Sequence, residues 1–238
     1  MKCVDTAAVK RAGKDDIRAA IDCLRTKNAT DLVGAEWDGV TVGIAEFPFV
    51  PVIDGSFLDE SPAKSLETKN FKKCNIMMGG NQDEGYYFIM YYLYDIFKKE
   101  ENVFVSRKQF EESVPQLNLW VAPVGVEAIK FEYTDWINPL DERLNRQALD
   151  RMVGDYAFTC PVNDFSHRYA ETGNNVYVYY FSERASVNPW PTWTGVLHGD
   201  EIAFIFGEPL NRSKNYDKME VELSKRMMGY WANFAKTG

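Results

Sequence analysis

Only two side chains in this 238-residue chain have an ordinary pKa near neutrality, His167 and His198. His167 lies in Phe165-Ser166-His167-Arg168-Tyr169, inside a helical pattern, and reads as a packing or surface residue. His198 lies in Thr194-Gly195-Val196-Leu197-His198-Gly199-Asp200-Glu201, with glycines on both sides and Trp190 and Trp193 just upstream. That is a loop, and loops held by a rigid scaffold carry a disproportionate share of catalytic groups. Glu84 follows an apolar run ending in Gly79-Gly80 and opens an aromatic-rich helical stretch. A carboxylate just past the C-terminal end of a strand is where an α/β fold places chemistry. The same carboxylate would also answer a helix dipole, and spacing alone leaves both readings open. Paired, Glu84 and His198 would form an oriented general base. Its nucleophile is not evident. No Gly-x-Ser-x-Gly occurs in the chain, and that motif is what lifts a serine onto a strained strand-to-helix turn. None of the four cysteines is an obvious replacement.

The elements that must position these groups follow from hydrophobic periodicity. Residues 14–32 read as a helix, followed by a loop from Gly34 to Gly43. Phe47-Pro48-Phe49-Val50-Pro51-Val52-Ile53-Asp54-Gly55 is extended, apolar and broken by prolines, so it suits an irregular or edge segment. Asn75-Ile76-Met77-Met78 reads as a short buried strand stopped by Gly79 and Gly80. A helix is predicted over 83–99, and two more over 143–157 and 162–172, divided near Pro161. Val176-Tyr177-Val178-Tyr179-Tyr180-Phe181 is β-branched and aromatic, as a strand should be. A last helix over 216–236 would place Met219, Leu223, Met227, Trp231 and Phe234 on one core-facing stripe. Strands alternating with helices predict an α/β class. The few strands cannot complete a sheet, so 1–238 reads as part of one larger α/β domain, with no separate second domain.

Composition narrows the function. The chain is 45% hydrophobic and 14% aromatic, enough to bury a core or line a ligand cavity. A net charge of −8 disfavours nucleic acid and anionic membranes as partners, and would steer cations inward. Cys3, Cys23, Cys74 and Cys160 allow three full pairings, and none has the CxxC spacing of a metal or redox site. No stretch of about 18 apolar residues suggests a membrane span, and Met1-Lys2-Cys3 does not open a signal peptide. Asn28-Ala29-Thr30 and Asn211-Arg212-Ser213 are glycosylation sequons.

Several stretches are similar to the type B carboxylesterases and, within them, to the cholinesterases. The most specific is Asn188-Pro189-Trp190-Pro191-Thr192-Trp193-Thr194-Gly195-Val196-Leu197-His198-Gly199-Asp200-Glu201-Ile202. Phe49-Val50-Pro51-Val52-Ile53-Asp54-Gly55, Asp83-Glu84-Gly85, Glu132-Tyr133-Thr134-Asp135-Trp136, Val153-Gly154-Asp155 and the tail 230–238 extend the likeness over nearly the whole chain. The resemblance implies the C-terminal portion of an α/β-hydrolase fold and the hydrolysis of acetylcholine, with no cofactor and no metal. It makes Glu84 and His198 the acid and base of a Ser-Glu-His triad. Glu201 becomes an electrostatic support near the base. Tyr87 and Phe88 fall at choline- and acyl-pocket positions, Tyr91 on the gorge wall, and Phe47 and Phe49 on the loop that narrows the acyl pocket. Trp190 also lines the gorge, and Trp37 matches the peripheral-site tryptophan. Asp200 and Tyr87 replace a usual vertebrate tyrosine and phenylalanine, as in the invertebrate branch.

The resemblance also pairs Cys3 with Cys23 around a small loop and leaves Cys160 unpaired, because its family partner lies beyond Gly238. The family's serine, oxyanion glycines and main choline-site tryptophan belong to its N-terminal half. Met1 then reads as an internal methionine, and the chain alone is expected to be inactive. An extracellular protein is implied, secreted or anchored at the synapse, and a homo-oligomer. Two other readings stay open: a non-catalytic adhesion relative, and a broad-specificity carboxylesterase.

Overall fold

The computed structural model describes Cys3 and residues 14–36, 43–44, 47–100 and 102–238. The chain divides into two compact units, Met1–Val42 with Glu46–Pro51, and Gly43–Ala45 with Val52–Gly238.

In the first unit the helix expected over 14–32 is two helices, α1 (Lys14–Arg25) and α2 (Ala29–Gly34). Asn28 causes the break. It sits in extended backbone, and its side chain accepts a hydrogen bond from Thr30 N, capping a new helix. The Cys3–Cys23 disulfide is formed, with Cα atoms 5.6 Å apart, and ties the start of the chain to α1. Phe47 and Phe49 are 55% and 80% exposed. Trp37 lies outside the described residues.

The second unit holds α3 (Pro62–Thr68), β1 (Ile76–Asn81), α4 (Glu84–Tyr92), α5 (Arg107–Leu117), α6 (Pro123–Glu132), α7 (Glu142–Gly154), α8 (Cys160–Ala170), β2 (Val176–Phe181), α9 (Asp200–Ile205) and α10 (Lys218–Thr237). β1 and β2 pair in parallel, Ile76 opposite Val176 through Asn81 opposite Phe181. β1 therefore runs through Gly79 and Gly80 instead of stopping there. The glycine at 79 permits close approach: a Cβ on it would stand 2.5 Å from the Tyr179 ring. Among the described residues these are the only two strands, so the chain is helix-rich around a small parallel sheet.

Other elements differ from expectation for local reasons. α4 ends at Tyr92, where the chain turns to bury Leu93 and Phe97. α5 and α6, not anticipated, are started by a Ser106–Gln109 capping box and by Pro123 in the first turn. Pro161 does not divide two helices. α7 widens into a π turn at Asp155–Thr159 and continues directly as α8, so the proline sits where the i→i−4 pattern is already relaxed. On α10 only Met227 of the expected stripe is buried. Leu223, Trp231 and Phe234 are half-buried, and Met219 is 75% exposed.

The main core packs Tyr86 and Ile89 of α4 against Phe110 and Val114 of α5 and Leu149 of α7. A smaller cluster joins Phe181, Val196, Phe204 and Met227. No helix among the described residues is long and apolar enough to cross a membrane.

Candidate active site

β1 ends at Asn81 and α4 begins at Glu84, so Glu84 stands on the first turn beyond the strand. Asp83, the residue before the helix, does not cap it. Its carboxylate instead accepts from Val196 N at 2.8 Å, while its own N–H donates to Val196 O at 3.0 Å. Gly195, at φ +61°, leaves the room this carboxylate needs. Residues 196 and 197 are thereby stitched to the end of β1, and His198 comes next in the chain. On its other side Asp200 Oδ2 accepts from Leu197 N and from Asn188 Nδ2, both at 2.9 Å. Two carboxylates thus hold the backbone N–H groups of the two residues just before His198.

This places His198 Nδ1 2.6 Å from Glu84 Oε2. The other carboxylate oxygen, Oε1, accepts from Asn81 N at 2.7 Å. Glu84 is 6% exposed, whereas the His198 side chain remains 41% exposed. With Glu84 as acceptor, Nδ1 carries the proton and Nε2 keeps its lone pair. The hydrogen bond to Glu84 raises the His198 pKa, partial burial opposes the rise, and the charges of Glu84 and Glu201 add to it. Glu201 Oε2 accepts from Asn81 Nδ2 at 2.6 Å and its Oε1 from Tyr179 Oη at 3.3 Å. Burial and the Glu201 charge push the Tyr179 phenol up to about 12.

Aromatic rings surround the imidazole. Phe158, on the π turn, lies 4.7 Å from it between centroids, Phe88 5.2 Å and Tyr87 6.0 Å. Tyr91 extends this wall, its ring 5.3 Å from that of Tyr87 and the residue 63% exposed. Trp190 packs on the main core, and the Lys99 ammonium lies 4.3 Å above its ring. Phe47 and Phe49 belong to the other unit. His167 is exposed on α8. Cys160 is an exposed unpaired thiol, and Cys74 is a half-buried one beside Tyr169 Oη. Among the described residues no group of three or more His, Cys, Asp or Glu is placed to hold a metal ion.

Sequence reasoning missed Asn81, Phe158 and the outward turn of Asp83. It also missed Asp150 of α7, 3% exposed, whose Oδ1 accepts from Tyr86 N at 2.7 Å and so fixes the first turn of α4. An apolar or amide residue carries no signal of its own in one sequence.

Residues 2–238 match the Carboxylesterase family. Over 223 residues the chain is 45% identical to an acetylcholinesterase of Bungarus fasciatus, covering 92% of this chain and 36% of that protein. It is 39% identical over 249 residues to an acetylcholinesterase of Danio rerio, with 92% and 39% covered. It is 40% identical over 252 residues to acetylcholinesterase 1 of Caenorhabditis elegans, with 100% and 39% covered. The chain therefore spans well under half the length of these relatives. Family membership implies the α/β-hydrolase fold, with which a parallel strand pair delivering a carboxylate and a histidine from its C-terminal ends agrees. The chain belongs to the carboxylesterase family, on its acetylcholinesterase-like side.

Proposed function

We propose that this chain supplies the acid and base of a serine esterase that hydrolyses acetylcholine to choline and acetate. The serine and the oxyanion donors would come from the rest of a longer polypeptide. The observation that carries this reading is the 2.6 Å contact between a buried carboxylate and the Nδ1 of a half-exposed imidazole. Glu84 holds the tautomer and stabilises the imidazolium. Nε2 of His198 takes the serine proton as the acyl carbon is attacked, then returns it to the departing choline oxygen. Tyr87 and Phe88, already against the imidazole, offer ring faces to a quaternary ammonium. By the family likeness Tyr91 and Trp190 would serve the choline side, Phe47 and Phe49 would answer to the family's acyl-pocket loop and Trp37 to its peripheral-site tryptophan, and Glu201 would add negative charge. The pocket roles of Tyr87 and Phe88 rest on the same likeness.

The two-stranded sheet supports the reading of an incomplete fold. Tyr177, Val178 and Tyr180 of β2 are 46%, 54% and 69% exposed, as expected of a strand whose faces are covered by the remaining polypeptide. Extracellular location and homo-oligomerisation belong to the same proposal.

The test is turnover of acetylthiocholine by the full-length polypeptide carrying His198→Ala. Loss of a triad base removes about six powers of ten in kcat, while circular dichroism should be unchanged. Near-normal turnover would remove His198 from the mechanism. The 238-residue chain alone should neither turn over substrate nor be labelled by a serine-directed phosphonate.

A further inference from the structure

Four hydrogen bonds around the Glu84–His198 pair converge on two residues. Asn81 is 3% exposed. Its backbone N–H donates to Glu84 Oε1 at 2.7 Å. Its Nδ2 donates to Leu197 O at 2.7 Å, on the residue preceding His198, and to Glu201 Oε2 at 2.6 Å. Glu201 is completed by Tyr179 Oη on its other oxygen. We infer that Asn81 is a positioning residue: one amide that holds the acid, the histidine loop and Glu201 in a single network, so that the Glu201 charge acts on His198. The geometry stands by itself, and its catalytic consequence rests on the esterase reading above.

The chemistry requires an amide. One nitrogen with two protons reaches a carbonyl and a carboxylate at once. An ionised aspartate there would donate nothing and would repel Glu201. A leucine of the same volume would leave a carbonyl and a carboxylate oxygen without their donor in a largely water-free place, which is costly. Glu201 would then swing away or neutralise, and its field at His198 would fall. The charged groups that act on His198 are Glu84 from α4 and Glu201 from α9, and the titratable ring beside it is Tyr87 of α4, 6.0 Å away between centroids. Asn81 bonds directly to both carboxylates.

In the full-length polypeptide the His198 ring signal, assigned by its loss in His198→Ala, can be followed by NMR against pH. Asn81→Leu is expected to lower the His198 pKa by about half a pH unit, the scale of one solvent-screened ion pair. Glu201→Gln should lower it by a similar amount. The double variant should lower it no further than either single one, because both remove the same interaction. Should Asn81→Leu fail to fold, Asn81→Ser keeps one donor and should give a smaller fall in the same direction. An unchanged His198 titration in the Asn81 variant, or two shifts that add, would overturn the inference. In the full-length enzyme the acid limb of kcat/KM should move down with the NMR value. If the wild-type polypeptide shows no turnover, the esterase reading fails while the NMR cycle still decides the role of Asn81.

Discussion

Gly85 of α4 packs against Asp150 of α7, and Gly85→Ala tests how Glu84 is held. A Cβ at Gly85 would stand 3.0 Å from both the carbonyl carbon and Oδ1 of Asp150, and closer still to the carbonyl oxygen. Carbon contacts are comfortable near 3.5–4.0 Å, so the two helices must part by about 1 Å. Overpacking of this kind costs about 1–3 kcal/mol. The parting also draws the Asp150 carboxyl away from Tyr86 N, leaving a buried pair unmade at about 1–3 kcal/mol. The gain in helix propensity returns about 1 kcal/mol. The expected net loss is about 3 kcal/mol, read from urea unfolding followed by tryptophan fluorescence. Two controls use the same exchange. Gly154→Ala, on α7 facing the same helix, meets its nearest neighbour, Gly85 N, at 3.5 Å and should stay within about 1 kcal/mol of wild type. Gly229→Ala, inside α10 with nothing within 4 Å, should gain up to about 1 kcal/mol. Wild-type stability in Gly85→Ala, or a larger loss in Gly154→Ala, would refute the claim that the α4–α7 contact sets the position of Glu84.

Glu84→Gln cannot serve both Asn81 N and His198 Nδ1 with one oxygen, and its amide would favour the wrong tautomer; full-length activity should fall about 10⁴-fold, measured as kcat. The residual acid limb should move to lower pH, because the bond to Glu84 is the first cause of the raised His198 pKa. For stability the sign follows. A histidine raised on folding contributes stability fully present below its unfolded value of about 6.5 and lost as pH rises through the folded value, so the Glu84→Gln deficit should be larger in acid melts than at pH 8. Burial first, and then the Asp83 charge, hold the Asp150 carboxyl well above the ordinary carboxylate range. The wild type is therefore penalised as pH rises past the unfolded value of about 4. Asp150→Asn, which keeps the acceptor for Tyr86 N, should raise thermal stability by an amount that grows toward neutral pH. Cys23→Ser opens a loop closed across 20 residues of sequence and should cost about 3 kcal/mol, checked by unfolding with and without reductant.

The single sequence carries what depends on local pattern. The β-branched run 176–181, the apolar stretch before Gly79-Gly80 and the helical periods were legible because each is set by neighbours in the chain, whereas the Cys3–Cys23 pairing came only from the family resemblance, since four cysteines leave three pairings open. His198 stood out by residue type and setting, while Glu84 read equally as a helix-dipole carboxylate until the family resemblance paired the two. The amphipathic stripe of α10 was legible as a stripe, but not how much of it is covered: Met219 shows that a period predicts a face and not its partner. The Pro161 split failed because a π turn, which sequence does not announce, absorbs the proline. What only the tertiary structure decided is which polar atoms meet. Glu84 and His198 lie 114 residues apart and Asn81 and Glu201 lie 120 apart, and the amide, the outward-turned Asp83 and the ring of Phe158 acquire meaning only when β1, α4, the π turn and the histidine loop pack together. Buried donors and acceptors must be satisfied by whatever the fold brings near, and that choice is a property of packing, not of chain order.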